Sequence, residues 1–535
     1  MADHKKQLHL AGFIYSGKAS QAWRHPQINA HQSLDVDYYI EYAQLAEKAK
    51  FDTLFLADGA SFKVTDVEKH FWSVSAFEPV TLFSAIAART EHIGLVYTAS
   101  VSDNEPTHVA RQLASLDHIS HGRAGWNVVT TPGPGSANLG VPKEESADSA
   151  AKYRRARAFL NVVKVLWDSF EDDALLRDKE SGIYVNLDKV HSPHIDDGLY
   201  QVDSPLRIER PPQGHPVIAQ AGTSDEGMAF GGSTADLIYC ANYSIKDGQE
   251  TYRKLKRHAV AAGRKPEHLV ILTGVAVIWG PTQEEAERRL REVSSLWPIE
   301  VAVENLGIDF GDANLDDPFP DTYDLAGIKS SGRAAAIASF ARSNNLTIRQ
   351  TAERCSVGLG HRPLVGTTQS IADDLQAWLE AEATDGFAVI QPRLINGLRD
   401  FTEHIVPELV RRGLFRREYE GRTLRENVGI PRPENIYTVQ RKIGPERVNG
   451  LGLQVGPQPD HTSTVYCSHR KHGPLRPLHH ILFRGCGSAV SALSSGPDIT
   501  PHGKTQYFDP LLARGGEHDL LHILLYQSSR VSSTG

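Results

Sequence analysis

The sequence predicts an α/β protein built as a (β/α)8 barrel, with insertions between strands four and five and between strands seven and eight, and with a C-terminal extension. Three observations predict it. Short apolar runs alternate with helical patterns along most of the chain, the signature of βα units and a parallel sheet. The runs number eight, each followed by a helical stretch. Two long polar intervals break the alternation at two of the connections.

The runs fall in order. LHLAGFIYS (8–16) precedes the helical pattern DVDYYIEYAQLAEKAK, and DTLFLAD (52–58) precedes PVTLFSAIAART. IGLVYTAS (93–100) is followed by THVARQLASLDHIS, and AGWNVVTT (124–131) by KYRRARAFLNVVKVLWDSF. PVIAQAG (216–222), LIYCAN (237–242), LVILTGVAVIWG (269–280) and FAVIQPR (387–393) complete the eight. Eight such units fit a TIM barrel better than an open doubly wound sheet, which is the alternative. The interval 171–215 is rich in turn formers, and DDGLYQVDSP within it reads as a small hairpin. The interval 295–365 is longer and is accompanied by helical pieces, GRAAAIASFARSN and SIADDLQAWLEAEA. Insertions of this length become lids or pocket walls, or else decoration or an oligomer contact.

Composition bounds the function. Of 535 residues, 40% are hydrophobic and 23% charged, as in an ordinary globular protein. The net charge of −8 disfavours nucleic acid as the main partner. No long apolar run or secretory leader is visible, and four cysteines make no disulfide framework, so a cytoplasmic protein is expected. From residue 438 the chain is rich in Gly, Pro, Ser and His, with 10 Lys+Arg against 6 Asp+Glu. We therefore expect a domain over 1–437 and an extension over 438–535 that stays outside the core. Cys467 and Cys486 lie there among histidines but without metal-ligand spacing, so no metal is expected.

In a parallel barrel the working residues sit at the C-terminal strand ends. Gly222, Thr223 and Ser224 close strand five and open a helix, where backbone N–H groups and hydroxyls suit a phosphate; a plain helix cap is the simpler reading. Asp58 ends strand two, as a ligand to a heterocycle, a base, or a cap. Tyr153 opens the helix after strand four, beside Arg154, Arg155 and Arg157, which read as a solvated face. Arg24 and His25, with Lys329 and Arg333, are available to an anionic substrate or are ordinary surface residues. Cys240 reads as core. No nucleophile motif, P-loop or dinucleotide fingerprint appears, so a cofactor is expected to carry the chemistry.

LDHISHGRAGWNVVTT (116–131) closely resembles the hallmark of the bacterial-luciferase-like FMN-dependent monooxygenases, in the branch of nitrilotriacetate, dibenzothiophene-sulfone and pristinamycin-type enzymes. FDTLFLAD, EPVTLFSAIAARTEHIGLVYTAS, NEPTHVARQLASLDH, LWDSFEDDA, PPQGHPVIAQAGTSDEG and GLFRREYEGRTLRENVGIPRPEN are similar to the family in order and spacing, from about residue 8 to 436. The resemblance implies a two-component monooxygenase of a small organic substrate. It implies FMN, as FMNH2 delivered by a separate NAD(P)H:flavin reductase, with O2 as co-substrate and a flavin C4a-(hydro)peroxide as oxygenating species. It implies a homo-oligomer, dimer or tetramer. By position, Asp58 and Thr98 would contact the ring region, with Asn127 near the ring or ribityl chain and Trp126 packing behind it. Tyr153, Gly222, Thr223 and Ser224 would hold the phosphate. Ser149 stands where the family commonly has histidine, and would substitute for that donor or weaken the site. The alternatives are a deazaflavin-dependent oxidoreductase on the same fold and a non-catalytic flavin-binding homologue.

Overall fold

The computed structural model describes residues 6–15, 21–59, 74–130, 149–222, 224–320 and 331–443. Eight parallel strands close into a barrel. They are β1 (His9–Tyr15), β2 (Thr53–Ala57), β3 (Gly94–Ser100), β4 (Ala124–Val129), β5 (Val217–Gln220), β6 (Leu237–Cys240), β7 (Val270–Trp279) and β8 (Gly386–Ile390). β1 pairs with β2 and β8, and β7 with β6 and β8, so the barrel has no free edge. The open doubly wound sheet is thereby excluded.

The helices that follow the strands are α1 (Val36–Lys48), α2 (Pro79–Ala87), α3 (Pro106–Ile119), α4 (Ser149–Trp167), α5 (Asp225–Thr234), α6 (Ile245–Ala261), α7 (Gln283–Ser294) and α8 (Leu394–Asp400). Their starts are written in the sequence. Asp35, Glu78, Ser224, Ser244 and Thr282 each accept a backbone N–H in the first turn of the helix they precede, and Pro79 and Pro106 open α2 and α3.

Strand alternation makes two cores. Leu95, Tyr97 and Ala99 of β3 pack outward with the helices, while Val96 joins Ala11, Phe55, Ala219, Leu272 and Ala388 inside the barrel. Leu424, Val428 and Ile430, on and beyond the short helix Leu424–Asn427, plug the interior. That plug sits at the N-terminal ends of the strands, because Leu424 N–H donates to the Gly122 carbonyl at 2.9 Å just before β4.

Buried carboxylates organise the same end. Asp52 accepts the Leu10 N–H at 2.7 Å, Asp385 that of Ile271 at 3.0 Å, Asp117 that of Ala124 at 3.1 Å and Asp236 that of Ile218 at 2.9 Å. Burial works against their charge, yet Arg416 and His9 hold Asp52 below its ordinary range. Arg425 and Arg264 do so for Asp236, and Lys256 and Lys6 for Asp385. Asp117 differs: burial dominates and lifts it to about 6, because its partners are the neutral Gln213 and backbone amides.

The predicted hairpin in 171–215 is present, as Ile195–Asp196 paired antiparallel with Gln201–Val202. The interval after β7 contains helices Ile299–Glu304, Ser331–Ser343 and Ile348–Val357 and a further strand, Arg362–Gly366, parallel to Val275–Trp279 of β7. SIADDLQAWLEAEA begins within the next helix, Thr368–Glu380. The domain boundary expected at 437 falls inside helix Ile436–Ile443, and from 444 the extension, with Cys467 and Cys486, lies outside the described residues. Among the described residues no helix is long and apolar enough to cross a membrane, and no acidic, His or Cys group could hold a metal.

Leu424→Ala should empty the plug and lower the unfolding free energy by about 2–5 kcal/mol, read from denaturant midpoints at unchanged m-value. For a carboxylate held below its ordinary range, stability is present above the unfolded pKa and is lost as pH falls through the folded one. The wild type should therefore lose stability as pH drops below about 4, and Asp52→Asn, already less stable at neutral pH, should show a shallower acid limb.

Candidate active site

The fourth strand separates its two unusual residues. Trp126 is fully buried on the outer face, where its indole N–H donates to the Ala99 carbonyl at 2.9 Å and its ring lies 5.7 Å from that of Phe159 on α4. Asn127 is turned the other way. It stands opposite Thr98 of β3 in register, and its Nδ2 donates to Thr98 Oγ1 at 2.9 Å. Asn127 is 3% exposed, and its Oδ1 has no hydrogen-bond partner. A buried carbonyl oxygen without a donor costs free energy, so the strand carries an acceptor that the protein itself leaves unused.

After β5 the chain turns into α5 through Gly222 and Ser224; Thr223 between them lies outside the described residues. Ser224 caps α5, its Oγ accepting the Gly227 N–H at 3.1 Å. Gly227, in the first helical turn, is the residue that the sequence reading missed. A β-carbon there would stand 2.7 Å from the Tyr153 hydroxyl, 3.1 Å from Gly222 Cα and 3.1 Å from Ser224 Oγ. Gly222 faces it, with a β-carbon there 3.0 Å from Gly227 Cα. The two glycines thus let the Tyr153 hydroxyl, the Gln220 amide and the turn after β5 close up against the N-terminus of α5. These donors and the helix dipole favour an anion with several acceptor oxygens. The signal in the sequence is the placement of glycine in a first turn, where it weakens a helix without local benefit.

Tyr153 is positioned from the second turn of α4, with its ring 5.6 Å from that of Phe230 on α5. Arg157 lies over Phe230 and donates to Ser233 Oγ at 3.1 Å, so it packs against α5. Ser149 begins α4, one turn before Tyr153. Asp58 follows the last residue of β2, half-buried at the same end of the barrel as Thr98 and Asn127.

Arg24 and His25 are engaged by the end of α7, and His25 also lines a small cavity with Ala22 and Arg393. Arg24 donates to the Leu296 carbonyl, and buried His25 meets Glu292 of α7 at 2.8 Å through Nε2. His25 Nδ1 accepts the Gln27 N–H, which makes Nε2 the donor to Glu292. Both residues tie the loop after β1 to the end of α7. Lys329 and the side chain of Arg333 lie outside the described residues. Cys240 is core, its thiol pushed up to about 11 by burial.

The barrel interior below the mouth is aromatic. Phe13 and Phe55 are 5.0 Å apart, Tyr239 reaches Phe55 at 4.2 Å, and His361, from the insertion after β7, lies 6.3 Å from Phe13. These rings fill the barrel interior beneath Thr98 and Asn127 and keep bulk water out of it.

A family model described as luciferase-like monooxygenase matches residues 18–385. N-acetyl-S-(2-succino)cysteine monooxygenase of Bacillus subtilis (strain 168) is 40% identical over 443 residues, spanning 82% of this chain and 100% of that protein. Nitrilotriacetate monooxygenase component A of Aminobacter aminovorans is 41% identical over 448 residues, spanning 80% and 98%. Among solved structures, a riboflavin lyase with modified FMN and substrate riboflavin aligns with a TM-score of 0.68 at 31% identity, covering 80% of this chain and 97% of that one.

Asn127→Leu removes an unsatisfied oxygen together with one hydrogen bond to a rotatable hydroxyl. Its unfolding free energy should stay within about 1 kcal/mol of wild type, while turnover should fall at least ~10-fold. A melting curve and an oxygen-uptake assay on one preparation check both halves.

Proposed function

This chain belongs to the luciferase-like monooxygenase family and is a monooxygenase, and from that membership we propose that it oxygenates a small organic molecule with O2 and reduced FMN supplied by a separate NAD(P)H:flavin reductase. The observation that carries the proposal is the close approach of Gly222 to Gly227, with the Tyr153 hydroxyl and Ser224 beside them. The hydroxyls of Tyr153 and Ser224 at the N-terminus of α5 suit a terminal phosphate, the group that distinguishes FMN from riboflavin. The unused Asn127 Oδ1 suits an N–H of a heteroaromatic ring.

When bound, reduced FMN supplies the electrons that activate O2 for insertion into the substrate. The chain's own residues bind, orient and shield. Tyr153, Gly222, Thr223 and Ser224 would anchor the phosphate at the positive end of α5, which α4 meets through the Tyr153 contact. Thr98 fixes the Asn127 amide in one orientation by accepting from Nδ2, so Oδ1 is presented to the ring without reorganisation. Asp58 stands at the neighbouring strand end. The Phe13, Phe55 and Tyr239 rings would shield a bound flavin from water on the side of the barrel interior. A reductase partner is supported by the name of one relative, which is component A of its system.

Anaerobic titration of the purified protein with FMNH2 should show saturable binding, and a generic flavin reductase with NADH should then support substrate-dependent oxygen uptake. Nitrilotriacetate and N-acetyl-S-(2-succino)cysteine, named in two relatives, head the substrate panel. Gly227→Ala places a methyl group against the Tyr153 hydroxyl and should weaken FMNH2 binding about 10-fold or more, equivalent to at least ~1.4 kcal/mol. Wild-type protein that fails to bind FMNH2 at high micromolar concentration would overturn the proposal.

A further inference from the structure

Among the described residues, Gln21 and Gln391 are the amides whose nitrogen and oxygen are both fully enclosed and without a hydrogen-bond partner. Gln21 is 0% exposed and Gln391 1%. Both lie at the mouth end of the barrel: Gln21 on the connection after β1, and Gln391 directly after β8, the strand that pairs with β1. The two connections meet, because Ala22, next to Gln21, and Arg393, just beyond Gln391, line one small cavity. Gln391 itself lines a second cavity with Phe13, Ile14, Tyr39 and Leu394. Phe13 is also part of the aromatic floor of the barrel interior.

The local backbone is strained in the same place. Leu394 has φ 53°, a left-handed conformation that a branched side chain avoids, and its N–H donates to the Gln391 carbonyl at 2.9 Å. Unsatisfied buried amides and a strained turn both oppose folding, and both persist here on adjacent strand ends. The buried carboxylates at the opposite end of the barrel show the contrast, since each of them accepts hydrogen bonds.

We propose that Gln21 and Gln391 are specificity-determining residues that recognise an uncharged amide group of the substrate, through paired donor and acceptor contacts from their carboxamides. The inference rests on the oxygenase reading above and adds the substrate class to it. Each glutamine offers an N–H donor and a carbonyl acceptor, and a –CO–NH– unit offers one acceptor and one donor on opposite sides, so one glutamine can donate to its carbonyl while the other accepts from its N–H. A carboxylate would satisfy the N–H groups but set its charge against two carbonyl oxygens. An alkylammonium would satisfy the oxygens and leave both N–H groups unmet, and a hydrocarbon would satisfy neither. Because a ligand lacking the group leaves buried polar atoms unpaired, such a site discriminates strongly.

The test uses matched six-carbon probes on the full chain, with and without FMN: hexanamide and N-hexylacetamide against hexanoate and hexylamine, each titrated by calorimetry. The amides should bind at least about 10-fold tighter than the acid or the amine. Gln391→Leu and Gln21→Leu should each reduce that preference to below about threefold, with FMN affinity changed less than about twofold. Both substitutions should also raise the thermal midpoint, since each removes two unmet polar atoms; a purely structural glutamine would lower it. The proposal is overturned if the amides bind no tighter than hexanoate, if they do not bind at millimolar concentration, or if the preference survives both substitutions. It is also overturned if FMN affinity falls in place of the amide preference, which would assign the two residues to the flavin. Failure of the wild type to bind FMN would sink the oxygenase reading separately, because the amide preference is also read on flavin-free protein.

Discussion

Closure of eight parallel strands is the constraint on which the rest of this structure depends. With β1 joined to both β2 and β8, no strand has an edge, and every side chain must point either at the helices or into the interior. The interior is narrow, so it accepts small and flat residues such as Ala11, Ala219, Ala388 and Phe55, while the outer layer takes Leu, Ile and Trp126. Few polar side chains point inward, and those nearest the open end have room beside them. That is why Thr98 and Asn127, on the inner face of β3 and β4, mark the mouth.

The two ends of the barrel treat polarity in opposite ways. At the closed end, Asp52, Asp236 and Asp385 each combine a strand N–H with a cationic partner, and Leu424 seals the space between the strands. At the open end, Asn127, Gln21 and Gln391 keep atoms without partners, and glycines 222 and 227 admit a close approach that an alanine would block. One end is spent on holding strands in register. The other leaves polar groups without a partner inside the chain.

Much of this was legible in the sequence because it depends on local pattern. Each of the eight strands announces itself as an apolar run bounded by turn residues, and the hairpin at 195–202 by its Asp-Gly turn. The opposed directions of Trp126 and Asn127 follow from strand alternation alone. What escaped is what depends on distant neighbours. Arg24 and His25 look free on a loop, but their partners lie 272 and 267 residues away. Gln21 and Gln391 look unremarkable, since an unmet amide is a property of its three-dimensional surroundings. Gly227 was hidden because its space matters only once Tyr153 is brought over it. The strand Arg362–Gly366 reads RPLVG, with an arginine and a proline where an apolar run would stand out, and it has a partner only where β7 extends past β6.

That last strand changes how the interval after β7 is attached. β7 keeps β8 on one side along Leu272–Ala276; on the other it pairs with β6 through Val270–Thr273 and with Arg362–Gly366 through Val275–Trp279. The interval therefore returns to the barrel by main-chain hydrogen bonds, which no side-chain replacement other than proline removes. Its intervening sequence can be rewritten wholesale while its seat in the wall is preserved. A scaffold fastened this way lends itself to exchange of that interval as a cassette, with the ligand-facing end of the barrel left standing.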